Sequence, residues 1–226
     1  MEDARVYSFS YNNPDRFVRM NERFKTVGIS INWVDPVLTT DSRLTDVYGS
    51  RVHAVMYSHL DMIRKFLSSS ASWGVFCEDD IYIRNDFTKT LRQAISGYIR
   101  MELDVLLLGY LIPYSPVTTI IDKCHSELEP TFSFLTYGDN LWGAQMYLLD
   151  RKAAQVLVDK YGNHTKVEGP FNSPFCSDWT ITKFGKRAAI YPMLAVEEGY
   201  VNTEHEGQRE FHTRCKELNY NAHLHI

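Results

Sequence analysis

Three consecutive acids, Glu78, Asp79 and Asp80, are the residues of this chain best suited to chemistry. They follow the apolar run 74–77, which has the length and residue types of a buried strand. Like charges about 4 Å apart repel by about 4 kcal/mol at an effective dielectric constant near 20, so an acidic cluster in a concave site needs a cation. Carboxylate oxygens are hard ligands for Mg²⁺ or Mn²⁺, which often hold a substrate diphosphate as well, so the triplet predicts a metal site for a phosphorylated ligand. The alternative is an exposed acidic turn in which Asp80 or Asp86 caps a local backbone amide.

Apolar patterns on both sides of the triplet predict strands and helices that alternate along the chain. A strand is predicted from Val6 to Tyr11, followed by a helix with Asn13 as its N-cap and Pro14 as its first residue. Gly28 ends this helix, and the next strand is predicted soon after it. Further helices are predicted over 52–67, 86–100 and 151–161, and further strands over 29–34, 103–110, 143–149 and 188–191.

This alternation predicts a doubly wound α/β domain with a Rossmann-like, mostly parallel central sheet flanked by helices. Ligands of such sheets bind at the carboxyl ends of the strands, where the acids at 78–80 are placed. Residues 111–140 are predicted to form loops and short strands over the active face, and the tail from Glu197 shows only polar composition. His59 falls on the apolar face of its helix and is interpreted as a satisfied core histidine.

Length, charge and hydropathy exclude several classes of protein. The 226 residues, with 44% hydrophobic and 23% charged residues, suit a globular α/β domain with a substantial core. A net charge of -4 implies no broad basic field, so we expect no nucleic acid partner. We also expect no transmembrane segment and, because no signal peptide is visible, a cytoplasmic location; a lumenal domain cut from a longer parent would look the same. No pattern predicts the oligomeric state.

A series of short motifs, taken in order, resembles glycosyltransferase family 25, the group of lipopolysaccharide-type galactosyltransferases and collagen β-galactosyltransferases. The resemblance covers about residues 5–195. It rests on the order and spacing of Pro14-Asp15-Arg16 with Arg19-Met20, Tyr57-Ser58-His59-Leu60, Cys77-Glu78-Asp79-Asp80-Ile81, Gly143-Ala144 through Tyr147-Leu148, and Ser177-Asp178-Trp179.

The resemblance implies a single GT-A-type glycosyltransferase domain over residues 1–226, with a nucleotide-binding half at about 1–110 and an acceptor half at about 111–226. It implies metal-dependent, inverting transfer of a hexose, galactose or glucose, from a UDP-sugar to a hydroxyl group of a glycan or glycoprotein. Mn²⁺ or Mg²⁺ would be the cofactor. On this basis Asp80 is expected on the metal, with Glu78 and Asp79 beside the nucleotide.

The first strand and helix are expected to contribute the nucleotide contacts. Phe9, Ser10 and Tyr11 stand where many members of the family have Ile-Asn-Leu, and they are expected beside the uridine. Arg16 lies close to the N-terminus of a helix that follows a strand, which is a natural site for a phosphate. The alternative for Arg16 is a solvated surface position.

The remaining site residues come from the second half of the chain. Asp178 is expected to be the base that takes a proton from the acceptor hydroxyl, and its alternative role is the N-cap of a helix that begins at Trp179. The resemblance makes His205 the first candidate for completing the metal shell and His212 the second, although both could be ordinary surface histidines. Trp142 could stack on a sugar or fill the core.

Two rival functions share much of this pattern. A catalytically inactive GT-A-like binding or scaffold protein would keep the fold without the chemistry. A metal-dependent phosphohydrolase would also need clustered acids, but it usually has further acids or a phosphate loop at other strand ends. No P-loop, GxGxxG, GxSxG or HExxH motif occurs in the chain.

Overall fold

The computed structural model describes residues 3–44, 50–113, 120–125, 130–162, 175–199 and 205–226. The described strands are β1 (Ala4–Phe9), β2 (Ile31–Val34), β3 (Trp73–Cys77), β4 (Ile81–Ile83), β5 (Val105–Leu111), β6 (Ile120–His125), β7 (Pro130–Leu135), β8 (Trp142–Asp150), β9 (Arg187–Tyr191) and β10 (Ala195–Glu197). The α-helices are α1 (Pro14–Thr26), α2 (Ser50–Leu67), α3 (Phe87–Arg100), α4 (Arg151–Tyr161) and α5 (Glu206–Asn219). A π-helical turn spans Ser177–Ile181. None of these helices is both long enough and apolar enough to cross a lipid bilayer.

Eight of the strands form the central sheet, in the order β2-β1-β3-β8-β5-β9-β7-β6. Strands β2, β1 and β3 are parallel to one another, and β8 is antiparallel to both β3 and β5. Strand β9 is parallel to β5, and β7 is antiparallel to both β9 and β6. Six strands therefore run in one direction, and only β8 and β7 oppose them. This confirms the predicted α/β class with a Rossmann-like, mostly parallel sheet.

Helices cover both faces of the sheet, because successive side chains of a strand point to opposite faces. On one face, Phe76 of β3 packs in a cluster with Leu60 and Phe66 of α2. On the other face, Val75 and Cys77 of β3 pack with residues of α1 and α3. All five of these side chains are fully buried. Burial of a large apolar side chain such as Phe76, Phe66 or Leu60 contributes about 1.5–3 kcal/mol to the free energy of unfolding.

Helix α1 forms where its sequence signals predict it. The Asn13 side chain accepts a hydrogen bond from the backbone N–H of Arg16 at 3.1 Å, and Pro14 occupies the first helical position. Met20 and Phe24 form the buried stripe of the helix. Gly28 follows the end of the helix with a φ of 72°, a conformation that favours glycine. The cap fixes the backbone from which the Arg16 side chain extends.

Two parts of the chain differ from the prediction. Strands β6 and β7 lie in the segment predicted to form loops and short strands over the active face, but they form one edge of the central sheet, at the opposite end from β1 and β2. Residues 114–119 and 126–129, which belong to the same predicted segment, lie outside the described residues. The polar tail contains α5, whose only buried residue is Cys215. Because the helix has no stripe of apolar residues at helical spacing, the sequence pattern does not predict it. The division into a nucleotide-binding and an acceptor half stays a prediction.

Candidate functional site

The three acids follow β3 directly, at the carboxyl end of the strand. The backbone N–H of Glu78 donates to the carbonyl of Gln145 at 3.1 Å, which continues the pairing of β3 with β8 by one residue. The backbone N–H of Glu198 donates to the carbonyl of Asp80 at 2.7 Å. The acids are therefore held between the central sheet and the end of β10.

Asp79 and Asp80 share one cation, the guanidinium of Arg16. Its Nη1 atom lies 3.1 Å from Oδ1 of Asp79 and 3.1 Å from Oδ2 of Asp80. The hydroxyl of Ser10 donates to the other oxygen of Asp79 at 2.5 Å. The remaining oxygen of Asp80, Oδ1, is buried and has no hydrogen-bond partner among the described residues. The structure thus brings Ser10, Arg16, Asp79 and Asp80 together.

Glu78 points to the face of the sheet that α2 covers. Its Oε1 lies 3.9 Å from Nε2 of His59, and its side chain is 25% exposed. Burial raises the pKa of Glu78 to about 8, and the carboxylates of Asp178 and Glu197 add to the effect. Burial also raises the pKa of Asp80, with Glu78 as the next cause, while Arg16 lowers it. These shifts describe a site with more negative charge than its own cations neutralise.

His59 is fully buried, but it is only partly satisfied. Its Nδ1 lies 3.0 Å from the hydroxyl of Tyr147, and its Nε2 has no hydrogen-bond partner in the described part of the chain. Burial lowers the pKa of His59 to about 4, so the ring is neutral near pH 7. When Tyr147 donates to Nδ1, the proton of the neutral ring is on Nε2, which faces Glu78. The interpretation of His59 as a satisfied core histidine therefore needs correction.

Asp178 lies in the π-helical turn and bonds to strand β8. Its Oδ1 accepts a hydrogen bond from the backbone N–H of Ala144 at 2.9 Å. The N-cap position of the turn belongs to Cys176, so the side chain of Asp178 is not the cap of a helix that begins at Trp179. Burial raises the pKa of Asp178, while His59 and the Ala144 N–H lower it. Since Asp178 is also a cause of the pKa shift in Glu78, the two carboxylates belong to one electrostatic cluster.

A further acid, Glu197, joins the site and was not predicted from the sequence. It is the last residue of β10, it is buried, and its carboxylate lies 2.7 Å from Nδ1 of His212 on α5. The bond to Glu197 raises the pKa of His212, and Asp80 and Glu78 raise it further. In the sequence, Val196–Glu197–Glu198 stands at the start of a polar tail. The position of Glu197 beside the other acids is evident only from the pairing of β10 with β4.

The other predicted site residues lie at the edges of this cluster. His205 occupies the N-cap position of α5 and is exposed, so the histidine that the structure places beside the acids is His212. The Phe9 ring lies edge-on to His59 with centroids 5.4 Å apart. Tyr11 is 58% exposed in the loop after β1, and Trp142 is 41% exposed. The role of each stays a prediction.

The donor atoms of the site suit a hard divalent cation, although the described residues do not form a complete metal shell. Among the residues that the structure describes, no three His, Cys, Asp or Glu side chains converge as ligands of one ion. The unpartnered Oδ1 of Asp80 is nevertheless a buried carboxylate oxygen, which is the type of ligand that Mg²⁺ and Mn²⁺ prefer. The chemistry of the donors therefore fits the predicted metal, with Asp80 as the residue that would hold it.

Comparison with known proteins finds similar structures and no similar sequences. No family model matches the chain, and no curated protein matches it. A glycosyltransferase involved in the glycosylation of the major capsid of PBCV-1 is similar at a TM-score of 0.44 and 9% identity, over 93% of this chain and 98% of that one. S. aureus TarS 1-349 in complex with UDP-GlcNAc is similar at a TM-score of 0.42 and 12% sequence identity, over 91% of this chain and 60% of that one. CMP:2-keto-3-deoxy-manno-octonic acid synthetase complexed with CTP is similar at a TM-score of 0.39 and 14% sequence identity, over 70% of this chain and 78% of that one.

These structural neighbours include glycosyltransferases, but their likeness to this chain is weak. The identities of 9–14% and the TM-scores below 0.5 say nothing about the activity of this chain. Membership of glycosyltransferase family 25 stays a prediction.

Proposed function

We propose that this chain is a metal-dependent inverting glycosyltransferase that moves a hexose, galactose or glucose, from a UDP-sugar to a hydroxyl group of a glycan or glycoprotein. The observation that carries the proposal is the carboxylate of Asp80. It is buried at the carboxyl end of β3, and its Oδ1 has no partner among the described residues. A buried, unpaired carboxylate oxygen in an acidic cluster is costly unless a cation or a hydrogen-bond donor binds there.

The donor would bind along the first strand and helix. Arg16 and the N-terminus of α1 would bind the diphosphate, because helix N-termini favour anions and Arg16 is the third helical residue. Phe9, Ser10 and Tyr11 would contact the uridine, with Glu78 and Asp79 beside it. Mn²⁺ or Mg²⁺ on Asp80, with His205 or His212 as a second ligand, would act as a Lewis acid that neutralises the leaving diphosphate.

Asp178 would take the proton of the acceptor hydroxyl as that hydroxyl attacks the sugar. A base is most effective when its pKa approaches the working pH, and burial raises the pKa of Asp178 in that direction. The bond from the Ala144 N–H orients the carboxylate, and a carboxylate has more lone pairs to accept a proton than this one bond uses. Direct attack from the face opposite the leaving group gives inversion at the anomeric carbon.

One observation favours the rival of a catalytically inactive binding protein. Arg16 already contacts both Asp79 and Asp80, so a guanidinium could replace the metal permanently. Such a protein would bind a UDP-sugar without a divalent cation, or would bind neither. The two candidates therefore differ in whether nucleotide binding depends on the metal.

Isothermal titration of UDP with and without Mn²⁺, in the wild type and in Asp80→Asn, tests the proposal. The amide preserves the shape of the side chain and removes its charge, so we expect the metal-dependent part of UDP affinity to fall by about 100-fold or more. The matched control is Asp159→Asn, an exposed acid on α4 whose loss should leave UDP affinity unchanged. Equal UDP affinity with and without Mn²⁺ in the wild type would contradict the proposal.

A further inference from the structure

Arg16 occupies the space between two carboxylates of the site. A single atom, Nη1, bridges Asp79 and Asp80 at 3.1 Å from each, and the side chains are 20%, 13% and 10% exposed. Both oxygens of Asp79 have partners, because Ser10 donates to the second one. Asp80 differs, since Oδ2 contacts Arg16 and its buried Oδ1 contacts no donor in the described residues. Asp80, the acid best placed to bind a cation, therefore already has one of its two carboxylate oxygens in contact with the Arg16 guanidinium.

A second cation at Asp80 would meet the charge of Arg16 at short range. Burial lowers the pKa of Arg16, but Asp80 and Asp79 raise it more, so the guanidinium stays charged. Two positive centres that share one carboxylate repel each other, and this repulsion is weakly screened where the side chains are largely buried. Arg16 and a divalent ion therefore weaken each other's contact with Asp80.

We propose that Arg16 competes with the divalent cation for Asp80 and changes partner when the cation binds, moving to the diphosphate of the nucleotide. This inference rests on the proposed function, because it takes a divalent cation and a nucleotide as the ligands. The hydrogen bond from the Arg16 N–H to Asn13 anchors its backbone, so the side chain can change partner while the helix stays in place. Nucleotide binding then favours cation binding in two ways, by direct contact and by drawing Arg16 away from Asp80.

Titration of Mn²⁺ alone, without nucleotide, tests the competition. Arg16→Gln removes the competing charge, and we expect this variant to bind Mn²⁺ about tenfold more tightly than the wild type, the size of one hydrogen-bonded charge pair. The matched control is Arg19→Gln on the same helix, which removes the same charge but pairs with Glu198 at 2.9 Å instead of the acids at 78–80. Equal Mn²⁺ affinity in the wild type and Arg16→Gln, or the same increase in both variants, would overturn the inference.

Repeating the Mn²⁺ titration at saturating UDP tests the change of partner. By reciprocity, UDP should increase Mn²⁺ affinity more in the wild type than in Arg16→Gln, because only the wild type has an arginine to draw away. An equal increase in both proteins overturns the second half of the inference. If Mn²⁺ binds more tightly to Arg16→Gln but UDP binds to neither protein, the competition is supported and the proposed function is wrong. If Mn²⁺ binds to neither protein, both are wrong.

A measurement on the wild type covers the case in which Arg16→Gln does not fold. Guanidinium nitrogen signals are visible by NMR, and the Arg16 signal can be assigned from its ion-pair contacts with Asp79 and Asp80. Titration with Mg²⁺, which is diamagnetic, should shift the Arg16 signal as the ion pair with Asp80 breaks. The Arg19 signal should stay where it is. A Mg²⁺-saturated protein with an unchanged Arg16 signal would overturn the competition.

Discussion

At the scale of single residues, Asp178 combines a structural hydrogen bond with the role of base that we propose for it. Its carboxylate accepts the Ala144 N–H at 2.9 Å, and this bond links the π-helical turn to the central antiparallel strand β8. An asparagine at this position can still accept that bond through its amide oxygen, whereas an alanine cannot. The two substitutions therefore separate the chemistry of the residue from its contribution to the fold.

We expect Asp178→Asn to keep UDP binding and the wild-type free energy of unfolding, while hexose transfer falls by about 10²–10⁴-fold because the proton acceptor is lost. Asp178→Ala should lose transfer as well and should also reduce the free energy of unfolding by about 1–3 kcal/mol, since it leaves a buried N–H unpaired. Transfer assays and urea denaturation measure the two effects. Unchanged turnover in Asp178→Asn would exclude Asp178 as the base.

The sequence predicts those site residues whose positions follow from the local pattern of the strand or helix beside them. Glu78 to Asp80 follow an apolar strand, and Arg16 follows a helix N-cap, so local patterns position both. Glu197 and His212 had no such signal. They meet through a contact between the short strand β10 and helix α5, and no local pattern encodes which residues of two distant elements will touch. For the same reason, the sequence could not show that Nε2 of His59 lacks a partner.

At the scale of elements, helix α3 shows how a contact between elements overrides local propensity. Gly97 lies inside α3, where alanine is favoured by about 1 kcal/mol. A methyl group at this position would collide with the ring of Phe134 on β7, which is fully buried and cannot move aside. The glycine is therefore needed for the approach of α3 to the sheet.

We expect Gly97→Ala to reduce the free energy of unfolding by about 1–3 kcal/mol, because overpacking outweighs the gain in helix propensity. Gly207→Ala in α5 is the matched control. Apart from its chain neighbours and the backbone of its own helix, nothing lies within 4 Å of the added methyl group, so this variant should be as stable as the wild type or gain up to about 1 kcal/mol. Urea denaturation measures both variants. A more stable Gly97→Ala would contradict the close packing of α3 on Phe134.

Elements with their own boundary signals could be predicted closely. Helix α4 spans Arg151–Tyr161 as predicted, and Asp150 caps it by accepting the Ala153 N–H at 2.7 Å. The direction of β8 could not be predicted, because a buried, mostly apolar strand has the same pattern whether it is parallel or antiparallel to its neighbours. Strands β6 and β7 were missed as members of the sheet because the pair joins it through β9, which is distant in sequence.

At the scale of the whole molecule, the acidic site makes the stability of the cation-free protein depend on pH. Burial and neighbouring carboxylates raise the pKa of Glu78 to about 8, against an ordinary value of 4.5 in the unfolded chain. Between these values the folded protein binds more protons than the unfolded chain, so the free energy of unfolding falls as the pH rises. The raised pKa of His212 acts in the same direction. Solvent screens part of the effect, since the Glu78 side chain is 25% exposed.

We therefore expect the free energy of unfolding, measured by urea denaturation in EDTA, to decrease from pH 5.5 to pH 8.5 in the wild type. Glu78→Gln should flatten this decrease, because the amide does not titrate. Glu206→Gln, which changes an exposed acid on α5, should keep the wild-type slope. The same slope in Glu78→Gln and the wild type would show that Glu78 is not the group responsible.

The acids of the site also differ in when their partners become available during synthesis. Arg16 leaves the ribosome before the acids at 78–80, and Glu197, Glu198 and His212 follow only much later in the chain. The growing chain thus carries a counter-ion for Asp79 and Asp80 from the moment these residues emerge. A nascent chain with such an internal salt bridge can complete its sheet without a bound cation, and the divalent cation of the proposed function would then be loaded onto the finished protein.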